Sequence, residues 1–240
     1  MLIYSADPTC YLVELSDLKQ GHLNRSKSTG INALNQVFDW SRSYLCNPHP
    51  DLGRKGPVCP YVQFSMEKNL FFMTIYRGSY TDRAEIVHTI LKYQQWFLEL
   101  EPLQGSEAQY KTILILFPDL SSEEAPHFID SIQAELKPAC VAHGVIIGEF
   151  HSGPPQKTGI RNANFRPFYC PVPVLGIRYM VPYDFPFLQE DKAFVTAYLQ
   201  QFGNRIPEFL KPMVQQAALK FGIVSSALED KPGKVANVVG

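Results

Sequence analysis

Lys111-Thr112-Ile113-Leu114-Ile115-Leu116-Phe117-Pro118 is the stretch on which the reading of the fold turns. From Ile113 to Phe117 every side chain is apolar, without the alternation of a strand that keeps one face in water. Pro118 stops the run, because proline has no N–H to give to a ladder. The pattern predicts a central strand buried on both faces, and each face then needs a cover. The neighbouring sequence supplies one. Asp82 opens a helical pattern to about Leu100, with Ile86, Ile90, Tyr93 and Phe97 three or four apart and Thr81 as its cap. On the other side, Ser121-Ser122-Glu123-Glu124 reads as a capping box that starts a second helix, which Pro138 should end or kink.

Further out, residues 145–150 and 172–181 read as two more strands, with a long loop between them. Residues 61–65 and 70–76 flank Met66-Glu67-Lys68-Asn69, and their aromatic and β-branched content predicts a hairpin. Residues 33–44 have helical spacing, with Leu34, Val37 and Phe38 on one face; helices are also expected over 191–201 and 207–221. The fold class expected is α+β: a mixed, partly antiparallel sheet packed with helices in a single domain. The expected division is an N-terminal extension with a short helix over 1–45, a core over 46–224, and a flexible tail over 225–240.

Composition narrows the function classes. Hydrophobic residues make up 45% of the chain and charged residues 19%, which suits a globular protein of 240 residues. A net charge of −1 argues against a broad nucleic-acid surface. No apolar run reaches the roughly 18 residues of a membrane span, and the start of the chain lacks a signal-peptide pattern, so a cytoplasmic protein is expected. The five cysteines are odd in number and widely spaced, without a C-x-x-C pair; that disfavours a disulfide framework and a structural zinc site. Dinucleotide, Walker A, nucleophile-elbow and H-E-x-x-H signatures are absent.

Two loops concentrate reactive side chains. The first, residues 47–60, holds four prolines and two glycines together with His49, Asp51, Arg54 and Cys59. A stiff irregular loop is a means of placing such groups. Cys59 could serve as a nucleophile with His49 as base, or either residue as the one axial ligand that a haem requires. The alternative is structural: prolines building a turn, His49 capping backbone groups and Cys59 filling the core. The second loop, Gly159-Ile160-Arg161-Asn162-Ala163-Asn164-Phe165-Arg166-Pro167-Phe168, interleaves arginine forks and amides with aromatic rings and holds no acid. Arginine forks bind carboxylates bidentately, which suits haem propionates or a substrate carboxylate. His151 is a second-choice ligand or proton carrier. His22, His88, His127 and His143 read as structural.

The string His49-Pro50-Asp51-Leu52-Gly53-Arg54-Lys55-Gly56-Pro57-Val58-Cys59-Pro60 resembles the hallmark of a functionally uncharacterised microbial domain family. The segments Asn164-Phe165-Arg166-Pro167 and Pro171-Val172-Pro173-Val174-Leu175-Gly176-Ile177-Arg178 resemble its second block, so the resemblance covers roughly residues 45–205. The fold is also similar, by analogy, to the haem protein of the D-cycloserine pathway, which releases hydroxyurea from hydroxyarginine. In that family a histidine in the N-terminal third binds haem iron, and His49 is the matching position. The resemblance implies a haem-binding enzyme doing oxidative chemistry on a small nitrogen-containing or amino-acid-like substrate. His49 would be the metal ligand, with Cys59, Arg54 and Arg166 also binding the cofactor. Arg161, Asn162 and Asn164 would hold and orient the substrate. Two rival readings use the same loops: a cofactor-free enzyme or small-molecule-binding protein, and a non-catalytic interaction module. A homodimer is compatible with each.

Overall fold

The computed structural model describes residues 1–20, 28–153, 162 and 164–224. They fall into two units, Met1–Val181 and Pro182–Gly240. In the first, β1 (Leu2–Tyr4) and β2 (Asp7–Leu12) form an antiparallel pair, followed by α1 (Leu15–Gln20) and α2 (Ser28–Trp40). Next come α3 (Val62–Glu67), β3 (Phe71–Ile75), α4 (Arg83–Glu99), β4 (Thr112–Leu116), α5 (Ala125–Ala142), β5 (Val145–Phe150) and β6 (Val174–Tyr179). The second unit contains α6 (Lys192–Phe202) and α7 (Lys211–Lys220). Among the described residues no helix is long and apolar enough to cross a membrane.

The expected α+β class is the one observed. The main sheet has the order β3-β4-β6-β5; β3 and β4 are parallel, and β6 runs antiparallel to both β4 and β5. The apolar run anticipated as a central strand is β4, hydrogen-bonded on both sides. Its period of two sorts its side chains between two cores. Ile113 and Ile115 face a cluster that includes Ile86, Ile90 and Phe97 of α4 and Ile129, Ile132 and Leu136 of α5. Leu114 and Leu116 face a second cluster with Leu34 and Val37 of α2 and Leu52, Val58 and Val62.

Residues 1–45, read as an extension, supply side chains to both clusters, Leu12 to the first and Val13, Leu34, Val37 and Leu45 to the second. Val13 also exchanges backbone hydrogen bonds with Met73, at 2.7 and 3.0 Å, along the free side of β3.

The expected hairpin is not formed. Residues 62–67 are helix α3, with Ser65 N–H bonded to the Tyr61 carbonyl and Lys68 N–H to that of Phe64. Val62 and Ser65, three apart, are its buried pair, and Asn69 leaves the helix at a φ of 57°. Only β3 is a strand, and its partner β4 lies far along the chain, so the aromatic and β-branched content served a helix face against the sheet. Pro138 does not end α5, which continues to Ala142. Both Pro138 and Ala134, whose carbonyl the proline leaves without a donor, lie on the exposed face, where water can serve that carbonyl. The cap of α4 is Asp82, whose Oδ1 accepts from Glu85 N–H at 3.0 Å, rather than Thr81. The expected Ser121–Glu124 box forms, with Ser121 N–H donating to Glu124 and Glu124 N–H to Ser121 Oγ, but one turn ahead of α5, whose own N-cap, Glu124, makes no side-chain cap bond.

The first unit encloses charged side chains, Lys111 and Glu149 among them. Lys111 is fully buried, with its Nζ 4.5 Å from the Phe97 ring centre and 5.0 Å from that of Tyr179, and it donates to the Leu100 carbonyl. Burial pulls its pKa down to about 8, against a smaller upward pull from the Glu101 carboxylate.

Candidate functional site

Helix α2 ends in a wider turn. Residues Ser41–Leu45 form a π-helical turn, closed by Cys46 N–H on the Ser41 carbonyl at 3.1 Å. Such turns recur at functional sites because they reset the direction of the side chains that follow. Here Trp40 and Tyr44 stack with centres 6.0 Å apart. Asn47 Nδ2 then caps the carbonyls of Arg42 and Ser43, at 3.0 Å each, and the proline-rich loop begins.

That loop is tied to itself. Pro48 and Pro57 form an antiparallel bridge, Val58 N–H donates to Asn47, and Cys59 N–H donates to Leu45, both at 2.9 Å. At its tip His49 caps the short turn Pro50–Leu52, its Nδ1 accepting Asp51 N–H at 3.2 Å, and Gly53 closes the turn at a φ of 71°. Leu52 and Val58 are buried beneath the loop. The Arg54 guanidinium donates to the carbonyls of Lys55 and Val58, so this candidate cofactor ligand braces its own loop.

The second loop leaves the sheet at Phe150. Gly148 and Gly176 face each other across β5 and β6, and the Phe150 ring lies against both. A Cβ on Gly176 would stand 3.1 Å from that ring and 3.2 Å from Leu114, so the glycine makes room for the ring. Phe150 meets Trp40 edge-on at 5.9 Å and Phe168 at 5.2 Å. His151 is fully buried; its Nε2 donates to Asp130 Oδ1 at 3.0 Å while Nδ1 accepts Gly153 N–H at 3.2 Å. It is a structural residue joining the loop to α5. Asn162 accepts Asn164 N–H on its Oδ1 and Phe165 N–H on its carbonyl, both at 3.0 Å, which turns the chain and drives Phe165 inward.

The two loops meet there. The His49 ring stacks on buried Phe165 at 4.8 Å and 29°, with Tyr44 edge-on at 5.8 Å. The Tyr44 hydroxyl donates to the Arg166 carbonyl at 3.4 Å, and burial pushes its pKa up to about 12, so it stays a donor. One row of rings results: Phe168, Phe150, Trp40, Tyr44, His49, Phe165. Two of its N–H groups are unspent. Trp40 Nε1 is buried and has no partner among the described residues, and none engages His49 Nε2.

Of the residues singled out from sequence, His49, Asn162, Asn164 and Arg166 belong to this junction. Asn162 acts as a turn former, Asn164 is exposed, and Arg166 Nη1 donates to the Phe165 carbonyl. Cys59 lies half-buried in the apolar cluster beside Cys46, and Arg161 lies outside the described residues. Trp40, Tyr44 and Phe150 were missed. The spacing of Trp40 and Tyr44, four apart at a helix end, was the signal that could have found two of them.

His49 Nδ1 already accepts Asp51 N–H, so a haem iron would have to be met by Nε2. A neutral imidazole that accepts at Nδ1 carries its proton on Nε2, which makes that nitrogen a donor. Metal-ligating histidines show the reverse, donating from one nitrogen to free the lone pair of the other. Among the described residues there is no group of three or more His, Cys, Asp or Glu placed to share a metal ion, which bears on a multi-residue metal site and not on a haem held by one axial ligand.

No curated protein and no solved structure matches the chain. A family model does match it, over residues 34–213, from α2 through both loops and the sheet into α7. The chain belongs to the family described as a domain of unknown function (DUF6875).

Proposed function

We propose that the chain binds a small planar molecule carrying a hydrogen-bond acceptor, such as an aromatic carboxylate, along the ring row at the junction of the two loops. The observation that carries this reading is the pair of unspent N–H donors, His49 Nε2 and Trp40 Nε1, on members of one aromatic row. Trp40 Nε1 is withdrawn from water, and buried polar groups are nearly always hydrogen-bonded, so a ligand acceptor would satisfy it; His49, a third exposed, can offer Nε2 to the same ligand. Ring faces provide contact area and the donors provide orientation, the usual division of labour in a small-molecule site. In this reading no haem takes part.

The test uses the emission of Trp40 in a Trp96→Phe background, since the chain has two tryptophans. Benzoate, nicotinate and related aromatic carboxylates are titrated, with haemin followed separately through its Soret absorption. A saturable change in emission that is lost in His49→Ala and kept in Cys59→Ala supports the proposal. A flat response to every carboxylate overturns it. A Soret band that depends on His49 would reinstate the haem reading in its place.

A further inference from the structure

Cys46 and Cys59 are far enough apart in sequence to look unrelated, and the loop between them brings their backbones side by side. The antiparallel bridge pairs Pro48 with Pro57, and Val58 N–H donates to Asn47 at 2.9 Å. The ladder does not run on in register, because Cys46 is the αR cap of the π turn, with φ −81° and ψ −3°. Cys59 N–H donates instead to the Leu45 carbonyl, also at 2.9 Å, so the two bonds land on the residues before and after Cys46 and hold Cys59 beside it. A disulfide spans Cα atoms roughly 4.4–6.8 Å apart, a spacing that backbone bonds to both neighbours of Cys46 keep within reach. Both side chains are half-buried members of one apolar cluster, whereas Cys10, Cys140 and Cys170 are buried at 3%, 1% and 0% exposure. The Cys46 thiol is pushed up by burial first, and then by the Cys59 sulfur and the Glu67 carboxylate.

We propose that Cys46 and Cys59 are a reversible dithiol–disulfide couple that locks the His49 loop. The oxidant is a small disulfide of the glutathione class. One cysteine thiolate attacks a sulfur of the oxidant, forming a mixed disulfide and releasing one thiolate. The second cysteine gives its proton to water and attacks the mixed disulfide, releasing the second thiolate. Two protein thiols are oxidised by two electrons, and one disulfide is reduced to two thiols. The bond closes the loop that carries His49, Leu52 and Arg54 onto the end of the π turn. It is independent of whether a ligand binds at the ring row.

The folded wild-type chain is incubated in glutathione buffers from fully reduced to fully oxidised, free thiols are alkylated, and the protein is digested with trypsin. Cleavage at Arg42, Arg54, Lys55 and Lys68 puts the two cysteines on separate peptides, 43–54 and 56–68. The expected product is those two peptides joined, appearing as the oxidised fraction of the buffer rises and reversed by reductant. Three of the five thiols then remain alkylatable after unfolding. Cys46→Ser and Cys59→Ser should each stop at a single mixed disulfide with glutathione. Five alkylatable thiols in the most oxidising buffer would overturn the proposal. So would persistent glutathione adducts on the wild-type pair, or a disulfide linking any other two cysteines.

Discussion

Replacing Lys111 by methionine tests the enclosed charge directly. The side chain is fully buried against the rings of Phe97 and Tyr179, and methionine keeps most of its length and its contact with them. In the unfolded chain the amine titrates at its ordinary value of 10.5, and in the folded chain at about 8. Above 10.5 both states are neutral and the fold bears no cost. As pH falls through the window from 10.5 to 8, the unfolded chain takes up a proton that the folded chain does not, so stability is lost. Below 8 both are charged and the cost is complete. At about 1.4 kcal/mol for each pH unit, the whole window is worth ~3 kcal/mol, of which ~2 kcal/mol lies between pH 7 and pH 9.5. Urea unfolding at those two pH values should therefore show the wild type gaining ~2 kcal/mol more than Lys111→Met on going to the higher pH. The comparison between proteins matters because Cys10, Cys46, Cys140 and Cys170, whose thiols burial holds up, act in the opposite direction above pH 9. They do so equally in both proteins. The absolute stability of the variant is a poorer readout, since methionine also leaves the Leu100 carbonyl without its donor. Parallel pH dependence of the two proteins, within about 0.5 kcal/mol, would refute the reasoning.

Two further substitutions probe the frame around the site. Asp130→Ala strands the buried Nε2–H of His151 and should cost about 1–3 kcal/mol in urea unfolding, whereas Asp130→Asn retains an acceptor and should cost much less. Equal losses in the two variants would show that the hydrogen bond is not what matters there. Pro138→Ala restores a helical N–H on the exposed face of α5 and should raise stability by roughly 1–3 kcal/mol; a lowered melting temperature would mean that the proline does more than interrupt the ladder.

How much of this was legible in advance depends on where each signal resides. The starts of α4 and α6 could be placed because helix-start signals are local, although the cap of α4 is Asp82 and not the expected Thr81; in both, the carboxylate and the N–H groups it accepts from lie within three residues. The capping box before α5 was legible for the same reason. The failure at residues 61–76 has the opposite cause. Tyr61, Phe64 and Val62 carry strand-like preferences, but Val62 and Ser65 are buried beneath a helix because β3 takes its partner from β4 instead of from its neighbour in sequence. At the candidate site, His49 and the segment around Phe165 were each visible as unusual chemistry. Their contact was not, since Tyr44 and Arg166, which bond across the junction, stand 122 residues apart.

The sequence alone determined the buried central strand, the amphipathic helices that cover it, the mixed α+β class and the stiffness of the proline-rich loop. Each of these follows from residue spacing or from a restricted backbone, properties that a chain carries before it folds. Tertiary structure decided the rest. It chose which strand β3 pairs with, set the His49 ring on Phe165 with its Nδ1 held by Asp51 N–H, and brought the Cys59 backbone beside Cys46. It also enclosed Lys111 between two rings. Those outcomes depend on which surfaces are left to be buried once the sheet has formed, and on which donor reaches a given acceptor first in space. No local pattern encodes either choice.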